Sequence, residues 1–532
     1  MLLIQSFKLF NKFKTISLLF YLVYMKIKRY PTNALLLSLC LTLFILPACK
    51  KSHSDIGAVV FKETRNKIFK DIETDVFINK FKEAFSKQKD GYKNPKFLAA
   101  LYEANDFEPL ILMRDLPQDK LKEAIAMLND ASAHGLNPES FEANRLNELI
   151  DKLYNKKEVK TIDEAYQVLI DLELTAANAF TNYSNTLQFG MVSPRKIYAQ
   201  YYTETKRPDS LSFMSVFASN DIKQFLDSIQ PKDTQYLTMQ KALKDNVQVP
   251  GTNKEESERI LIVNLERLRW KNRPTEQKYV WVNIPDFRLD VMENGKSVLN
   301  MKVCVGEGRN QDYADKLMEY DENDLKKDRP FNRETPQLKS LIHSVQVNPV
   351  WNIPESIATN EISKFAAKDP YYLSNHNIDV FLNGERIEDT ETINWSSADA
   401  GKTYTFKQRP GEDNALGKIK FLFNNQSSVY LHDTPSKAAF NQTMRAVSHG
   451  CVRVQQPLEL ARALFGEGRK FDMIKTGMEG KRTDAEDIAL SNKIPVYLSY
   501  FTCWVDQNGV LQFRKDVYGL DIVLYTYMQR MG

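Results

Sequence analysis

A chain of 532 residues with 43% hydrophobic and 26% charged side chains is long enough for two or three domains, and that balance excludes collagen-like, coiled-coil and wholly disordered classes. The formal net charge of +4 originates in residues 1–49, which hold Lys8, Lys12, Lys14, Lys26, Lys28 and Arg29 and no acidic residue; the remainder is slightly acidic. A near-neutral body without a long basic block interleaved with aromatics argues against nucleic acid as a partner.

Residues 1–49 read as a targeting segment. Lys26, Lys28 and Arg29 form a positive flank, and Ala34–Leu46 is a 13-residue apolar run, short for a membrane span but suited to a secretory signal. Leu46-Pro47-Ala48-Cys49 follows, which resembles a bacterial lipobox and makes Cys49 the lipidation candidate. Met25, just before the positive flank, is an alternative start, and an uncleaved N-terminal anchor is the competing reading. Either places the body outside the cytoplasm, in the periplasm and attached to a membrane. With Cys40 and Cys49 so assigned, only Cys304, Cys451 and Cys503 remain, too few for a disulfide framework and odd in number.

Ala58 to Arg269 has helical periodicity, clearest in Leu121–Leu128 and Ala165–Ala179, with breaks at His134–Pro138 and Gly190–Pro194. Lys244–Glu256, containing Pro250-Gly251, reads as a linker. After Trp270 the period changes to that of strands: Tyr279–Ile284, Phe287–Val291, Leu299–Val305, Ser344–Val347, Ile419–Phe423 and Val429–Leu431, with an Asn294-Gly295 turn. Gln311–Asn332 is a charged insertion expected as a surface loop. Helix returns at Ile357–Ala367 and Leu458–Phe465, and the tail reads as strand at Val496–Trp504 and Val510–Phe513. The fold class is α+β, divided into a targeting segment (1–49), a helical domain (50–270) and a mostly β domain (271–532) with a small capping insertion near 345–405.

Two of the six histidines and one of the remaining cysteines fall within 20 residues, in Tyr430-Leu431-His432-Asp433 and Ser448-His449-Gly450-Cys451-Val452-Arg453-Val454. A cysteine nucleophile needs a neighbour that takes its proton and donors aimed at the oxyanion formed on attack. Cys451 is the candidate nucleophile and His432 the candidate base. The N–H groups of His449, Gly450 and Cys451 are candidate oxyanion donors, Asp433 could orient an imidazole, and Arg453 has the plainer reading of a solvated or salt-bridged strand residue. Two plainer readings compete: a buried structural cysteine, and zinc held by His432, Asp433, His449 and Cys451. Neither H-x-x-x-H nor C-x-x-C spacing supports the second.

The S-H-G-C-V-R-V run, with a histidine 19 positions before the cysteine, resembles the signature of L,D-transpeptidase (YkuD-type) domains. Val282–Leu289, Val347–Pro354 and Arg409–Gly417 resemble further segments of that domain. Tyr102–Leu110, His134–Pro138, Leu174–Pro194 and Asn264–Trp270 resemble the helical scaffold of the large periplasmic YcbB-like branch. Only a short stretch separates Leu243 from Asn264, so that branch's peptidoglycan-binding module is expected to be missing. The resemblance implies a cysteine-dependent acyltransferase that needs no metal or organic cofactor and has peptidoglycan stem peptides as donor and acceptor. Cys451 would attack the third residue of a tetrapeptide stem, with His432 as acid and base; His449 and Gly450 would shape the oxyanion hole, and Arg453 would position a substrate carboxylate or brace the loop. Alternatives within the same fold are a carboxypeptidase or endopeptidase and an enzyme attaching proteins to the wall or detaching them. A non-catalytic wall-binding lipoprotein is the reading furthest from catalysis.

Overall fold

The helical half is assembled around α1 (Ile162–Phe189), and its start is encoded locally. The Thr161 side chain accepts the Glu164 N–H while the Glu164 carboxylate accepts the Thr161 N–H, a reciprocal cap. Gly190, at φ +80°, ends the helix; a Cβ there would collide with Glu266 and Trp270. Most of α1 is buried, because shorter helices surround it. Its Glu173 carboxylate accepts the Tyr102 hydroxyl and the N–H groups of Leu110, Ile111 and Leu112, so a buried acid caps the neighbouring helix Leu110–Asp115. The computed structural model describes residues 55–308, 318–320, 325–328, 333–397, 399–480 and 484–531, so the targeting segment with Cys49 lies outside the described residues. No described helix is long and apolar enough to cross a membrane. The expected linker is a short non-helical connection between two helices: one helix runs to Lys244, and α2 (Lys254–Arg269) begins ten residues later, capped by Asn253.

Strands begin at β1 (Lys278–Asn283), β2 (Arg288–Glu293) and β3 (Lys296–Gly306), with Asn294 and Gly295 supplying the positive φ of the β2–β3 turn. Within the expected surface loop, the backbone pairs as β4 (Met318–Tyr320) and β5 (Leu325–Asp328); the rest of 311–332 lies outside the described residues. After β6 (Leu338–Val347) the chain leaves for a cap with its own sheet, formed by β7 (Trp351–Ile353), β8 (Ile378–Leu382), β9 (Glu385–Ile387) and β10 (Thr405–Gln408). A separate apolar cluster that includes Ile353, Ile357, Ile362, Val380 and Phe406 holds the cap together. The chain returns through β11 (Ile419–Phe423), β12 (Leu431–His432), β13 (Ala446–Ser448) and β14 (Val452–Val454). Helices Pro457–Phe465 and Arg469–Glu479 then lead to β15 (Glu486–Ser499).

Main-sheet order is β13-β3-β14-β12-β11-β6-β15-β1-β2, and β2 also pairs with β3, so the sheet closes on itself. Closure fits the alternation: Ile419, Phe421, Phe423, Leu431, Val452 and Val454 are buried, while the residues between them form the other face.

The tail returns to the helical half. It forms a ribbon of β16 (Cys503–Val505) and β17 (Leu511–Phe513), then α3 (Leu520–Met531), a helix where the sequence reading expected none. Arg267 of α2 donates to Asp521 of α3 at 2.6 Å, with both side chains at most 2% exposed. Thr502 donates to the other oxygen of Asp521, Asn264 donates to Thr502, and Tyr198 donates to the Leu520 carbonyl. From Ile56 onward the chain is therefore one compact unit.

Candidate active site

Strand register assembles the site. Lys420 on β11 stands opposite His432 on β12, His432 opposite Arg453 on β14, and Arg453 opposite Cys304 on β3. Residues directly opposite across strands share a face, so one row crosses four strands. Cys451 lies two positions before Arg453, and alternation returns it to the same face. Its sulfur is influenced by the charges of Arg453 and Lys420 and by the Tyr430 N–H. Tyr430 stands edge-on to the His432 ring with centroids 6.0 Å apart, and the Lys420 ammonium lies 5.6 Å from the centre of the Tyr430 ring.

The His432 ring is buried, and Nδ1 donates to the carbonyl oxygen of Asp433. A neutral imidazole protonated at Nδ1 carries its lone pair on Nε2. Burial, and then the positive charge of Arg453, hold the His432 pKa down to about 4. Burial pushes the Cys451 thiol up to about 11, against the Tyr430 N–H and the Arg453 and Lys420 charges that pull it down. The resting pair is therefore neutral thiol and neutral imidazole rather than thiolate and imidazolium.

The loop carrying Cys451 is braced from within and below. Ser448 Oγ donates to the Cys451 carbonyl at 2.5 Å and accepts the Gly450 N–H at 3.2 Å. Gly450 has φ +113°, which side-chain-bearing residues rarely adopt. Thr335 donates to the Gly450 carbonyl and accepts the Gly306 N–H, while the Tyr518 hydroxyl donates to the Gly306 carbonyl. The structure thus occupies the Gly450 N–H, which the sequence reading had offered as an oxyanion donor, whereas those of His449 and Cys451 have no hydrogen-bond partner among the described residues.

Asp433 acts differently from expectation. Its backbone carbonyl, not its carboxylate, holds His432. The carboxylate accepts the Lys418 N–H at 2.9 Å and pairs with Lys437, filling the space that Gly417 leaves by lacking a Cβ. Adjacent strand residues point to opposite faces, so the carboxylate of residue 433 turns away from the ring of residue 432.

His449 reaches the cap. Its Nε2 lies 2.6 Å from Glu361 Oε1, and Glu361 also accepts Arg333 Nη2 at 2.7 Å, while Arg333 Nη1 is bonded to Glu307. Arg453 makes no ion pair among the described residues, and its Nε is buried without a partner. Cys304, Cys451 and Cys503 are unpaired, and Cys304 and Cys503 are buried. No group of three or more His, Cys, Asp or Glu side chains among the described residues is placed to hold a metal. Lys420, Glu361 and Arg333 escaped the sequence reading. The only signal for Lys420 was a lysine set between Ile419 and Phe421 in an otherwise apolar strand, and nothing local marked the other two.

Cys451 and a buried histidine thus share one face of a closed sheet that has its own cap, in a chain whose first half is helical. Residues 277–466 match the family model described as the L,D-transpeptidase catalytic domain, YkuD, and residues 96–243 match the one described as the Scaffold domain. The chain carries a YkuD-type L,D-transpeptidase catalytic domain joined to a Scaffold domain, the YcbB-like architecture. A Haemophilus influenzae protein, provisionally named an L,D-transpeptidase, is 30% identical over 325 residues. That match covers 61% of this chain and 60% of the relative's length. Solved structures with a likeness to this chain include an L,D-transpeptidase from Mycobacterium smegmatis (12% identity, 42% of this chain and 58% of that one, TM-score 0.20). Another is from Xylanimonas cellulosilytica (12% identity, 58% of this chain and 100% of that one, TM-score 0.16).

Proposed function

We propose that this protein is a peptidoglycan L,D-transpeptidase that works by two-step acyl transfer through Cys451. The observation that carries the reading is the shared face of His432 and Cys451, with His432 tautomerised by the Asp433 carbonyl so that the basic lone pair lies on Nε2. In the first step Nε2 takes the thiol proton as sulfur attacks the carbonyl carbon of the third stem residue. The oxyanion draws on the N–H groups of His449 and Cys451. Collapse breaks the peptide bond, and the imidazolium returns its proton to the departing D-alanine amine, leaving a thioester. In the second step the same nitrogen takes a proton from the amine of a neighbouring stem, which attacks the thioester and restores the thiol. No metal or organic cofactor takes part in these steps.

The electrostatics suit a base that works only as the reaction proceeds. A neutral thiol is protected from oxidation at rest, and an imidazolium made next to Arg453 gives up its proton readily. Arg453, lacking an internal anion, positions a substrate carboxylate. The cap excludes water and favours the amine over hydrolysis. Delivery to the periplasm through the segment ending at Cys49 would bring the site to its polymer.

Intact-mass spectrometry tests the assignment. Incubation with tetrapeptide-stem muropeptides or a carbapenem should add mass to the wild-type protein and not to Cys451→Ala. An adduct that persists in Cys451→Ala overturns it. Cross-linked dimers among the products mark transfer, whereas tripeptides alone would establish a carboxypeptidase instead.

A further inference from the structure

Lys420 has no place in the two-step chemistry above, yet the fold sets it into the site. Its neighbours on β11, Ile419 and Phe421, are buried in the core, so alternation forces the lysine onto the face that carries His432 and Arg453. Register then places it directly opposite His432. The side chain is half-buried and makes no ion pair among the described residues. Its ammonium lies 5.6 Å from the Tyr430 ring centre, which steers it toward the nucleophile.

An unpaired ammonium in a partly desolvated site costs free energy, as does the unpartnered Nε of Arg453 on the other side of His432. Two cations thus flank the base from its two neighbouring strands. The carboxylate that acts on Lys420, Asp487, is exposed, is bonded to Gln346 and lies beyond ion-pair distance. Among the described residues no anion compensates the positive charge on either side of His432, an arrangement that favours binding an anion.

Resting on the transpeptidase reading, we propose that Lys420 is a specificity-determining residue that binds a carboxylate of the acyl donor, with Arg453 gripping the donor from the opposite side of His432. The donor's charge then replaces the missing internal counter-ion, and acyl donors without a carboxylate at that place bind weakly. An ammonium serves here as a point charge, whereas Arg453 offers a planar fork.

The test compares wild type, Lys420→Met and Lys420→Arg on three tetrapeptide-stem donors: the free acid, the donor amidated at its terminal carboxylate, and the donor amidated at its side-chain carboxylates. Wild type should show a KM for one amidated donor roughly tenfold to a hundredfold above that for the acid, the range expected for one charged hydrogen bond. Whichever amide is discriminated against identifies the carboxylate. Lys420→Met should raise KM for the acid by a similar factor and abolish the discrimination; Lys420→Arg should restore it in part. Alkylation of Cys451 by the neutral reagent iodoacetamide, with the thermal midpoint, establishes that the Met variant is folded with an accessible thiol. Should Lys420→Met misfold, the comparison of the three donors on Lys420→Arg, whose longer reach alters the discrimination only if the side chain meets the carboxylate, decides the matter. Equal KM values for acid and amides on wild type, or unchanged discrimination in the variants, overturn the proposal. A wild-type protein that processes no donor fails the transpeptidase reading instead.

Discussion

His449, two residues before Cys451, is bonded through Nε2 to Glu361 of the cap, and Glu361 is held in turn by Arg333. Cap and nucleophile loop therefore meet at one carboxylate that is about 30% exposed, as are its two partners. Glu361→Gln keeps the size and weakens both pairs. Because such part-exposed pairs are each worth on the order of 1 kcal/mol or less, the protein should remain folded. Amide hydrogen exchange across residues 355–366 should quicken, and the ratio of hydrolysis to transfer should rise as water gains access. Unchanged exchange would show that the cap is held by its apolar contacts alone.

The buried His432 makes the acid limb of the reaction unusual. Protonation removes the base, so kcat/KM should fall as pH drops through about 4, well below the ordinary imidazole value of 6.5. Stability follows the same sign. Between pH 6.5 and 4 the unfolded chain binds a proton that folded His432 refuses, so stability is present above 6.5 and lost as pH falls through that window. For a shift of this size the loss is at most about 3 kcal/mol. Buried His134, also held down to about 4, adds in the same direction. Urea unfolding at pH 7 and pH 5 should show a smaller difference for His432→Gln than for wild type; equal differences would argue that the ring is hydrated in the folded state.

Two glycines in the site should fail for different reasons. A Cβ on Gly450 would find its nearest neighbour, the Glu334 carbonyl oxygen, at 3.4 Å, so Gly450→Ala suffers from its backbone angle rather than from crowding. A cost of about 1–3 kcal/mol is expected, with slower adduct formation because the Cys451 N–H shifts. A Cβ on Gly417 would overlap the Asp433 carboxylate, so Gly417→Ala should displace Asp433 and with it the carbonyl that holds His432. Thermal melts together with adduct kinetics separate the two. Gly417→Ala should shift the pH at which activity falls, and Gly450→Ala should not.

The Arg267–Asp521 pair predicts a large effect far from the chemistry. Arg267→Met leaves Asp521 buried with Thr502 but no counter-charge, at a cost of about 3–5 kcal/mol. Replacing both with apolar residues should cost much less than the single change. Denaturant unfolding of the single and double variants measures the difference.

Much of this was legible in the sequence. The switch from helix to strand near residue 270 followed from periodicity, and Cys451, His432 and Arg453 from local spacing, because a loop and two short strands place them within 22 residues. What stayed hidden depends on distance along the chain or on weak patterning. Glu361 meets His449 across 88 residues, and no local rule encodes that encounter. The cap strands are three to five residues long, too short for alternation to declare itself. The start of β15 includes Glu486 and Asp487, and its strand state is imposed by pairing with β6 rather than by its own residues. The helix at Leu520–Met531 was missed because its apolar residues surround an aspartate whose partner, Arg267, lies 254 residues earlier.

That last contact has a practical consequence for dissecting the protein. The helical half finishes its interior with residues supplied after the catalytic strands, so neither half owns all of its surface. A catalytic fragment cut at residue 270 would present the bare carboxylate of Asp521 to water, and a helical fragment would present the guanidinium of Arg267. Each would also uncover apolar side chains of the shared core, Val263 on one side and Val523 and Leu524 on the other, and so be prone to aggregate; mixing the two should restore solubility. The chain folds as an interlocked whole in which the scaffold serves as the lining for the end of the enzyme's own polypeptide.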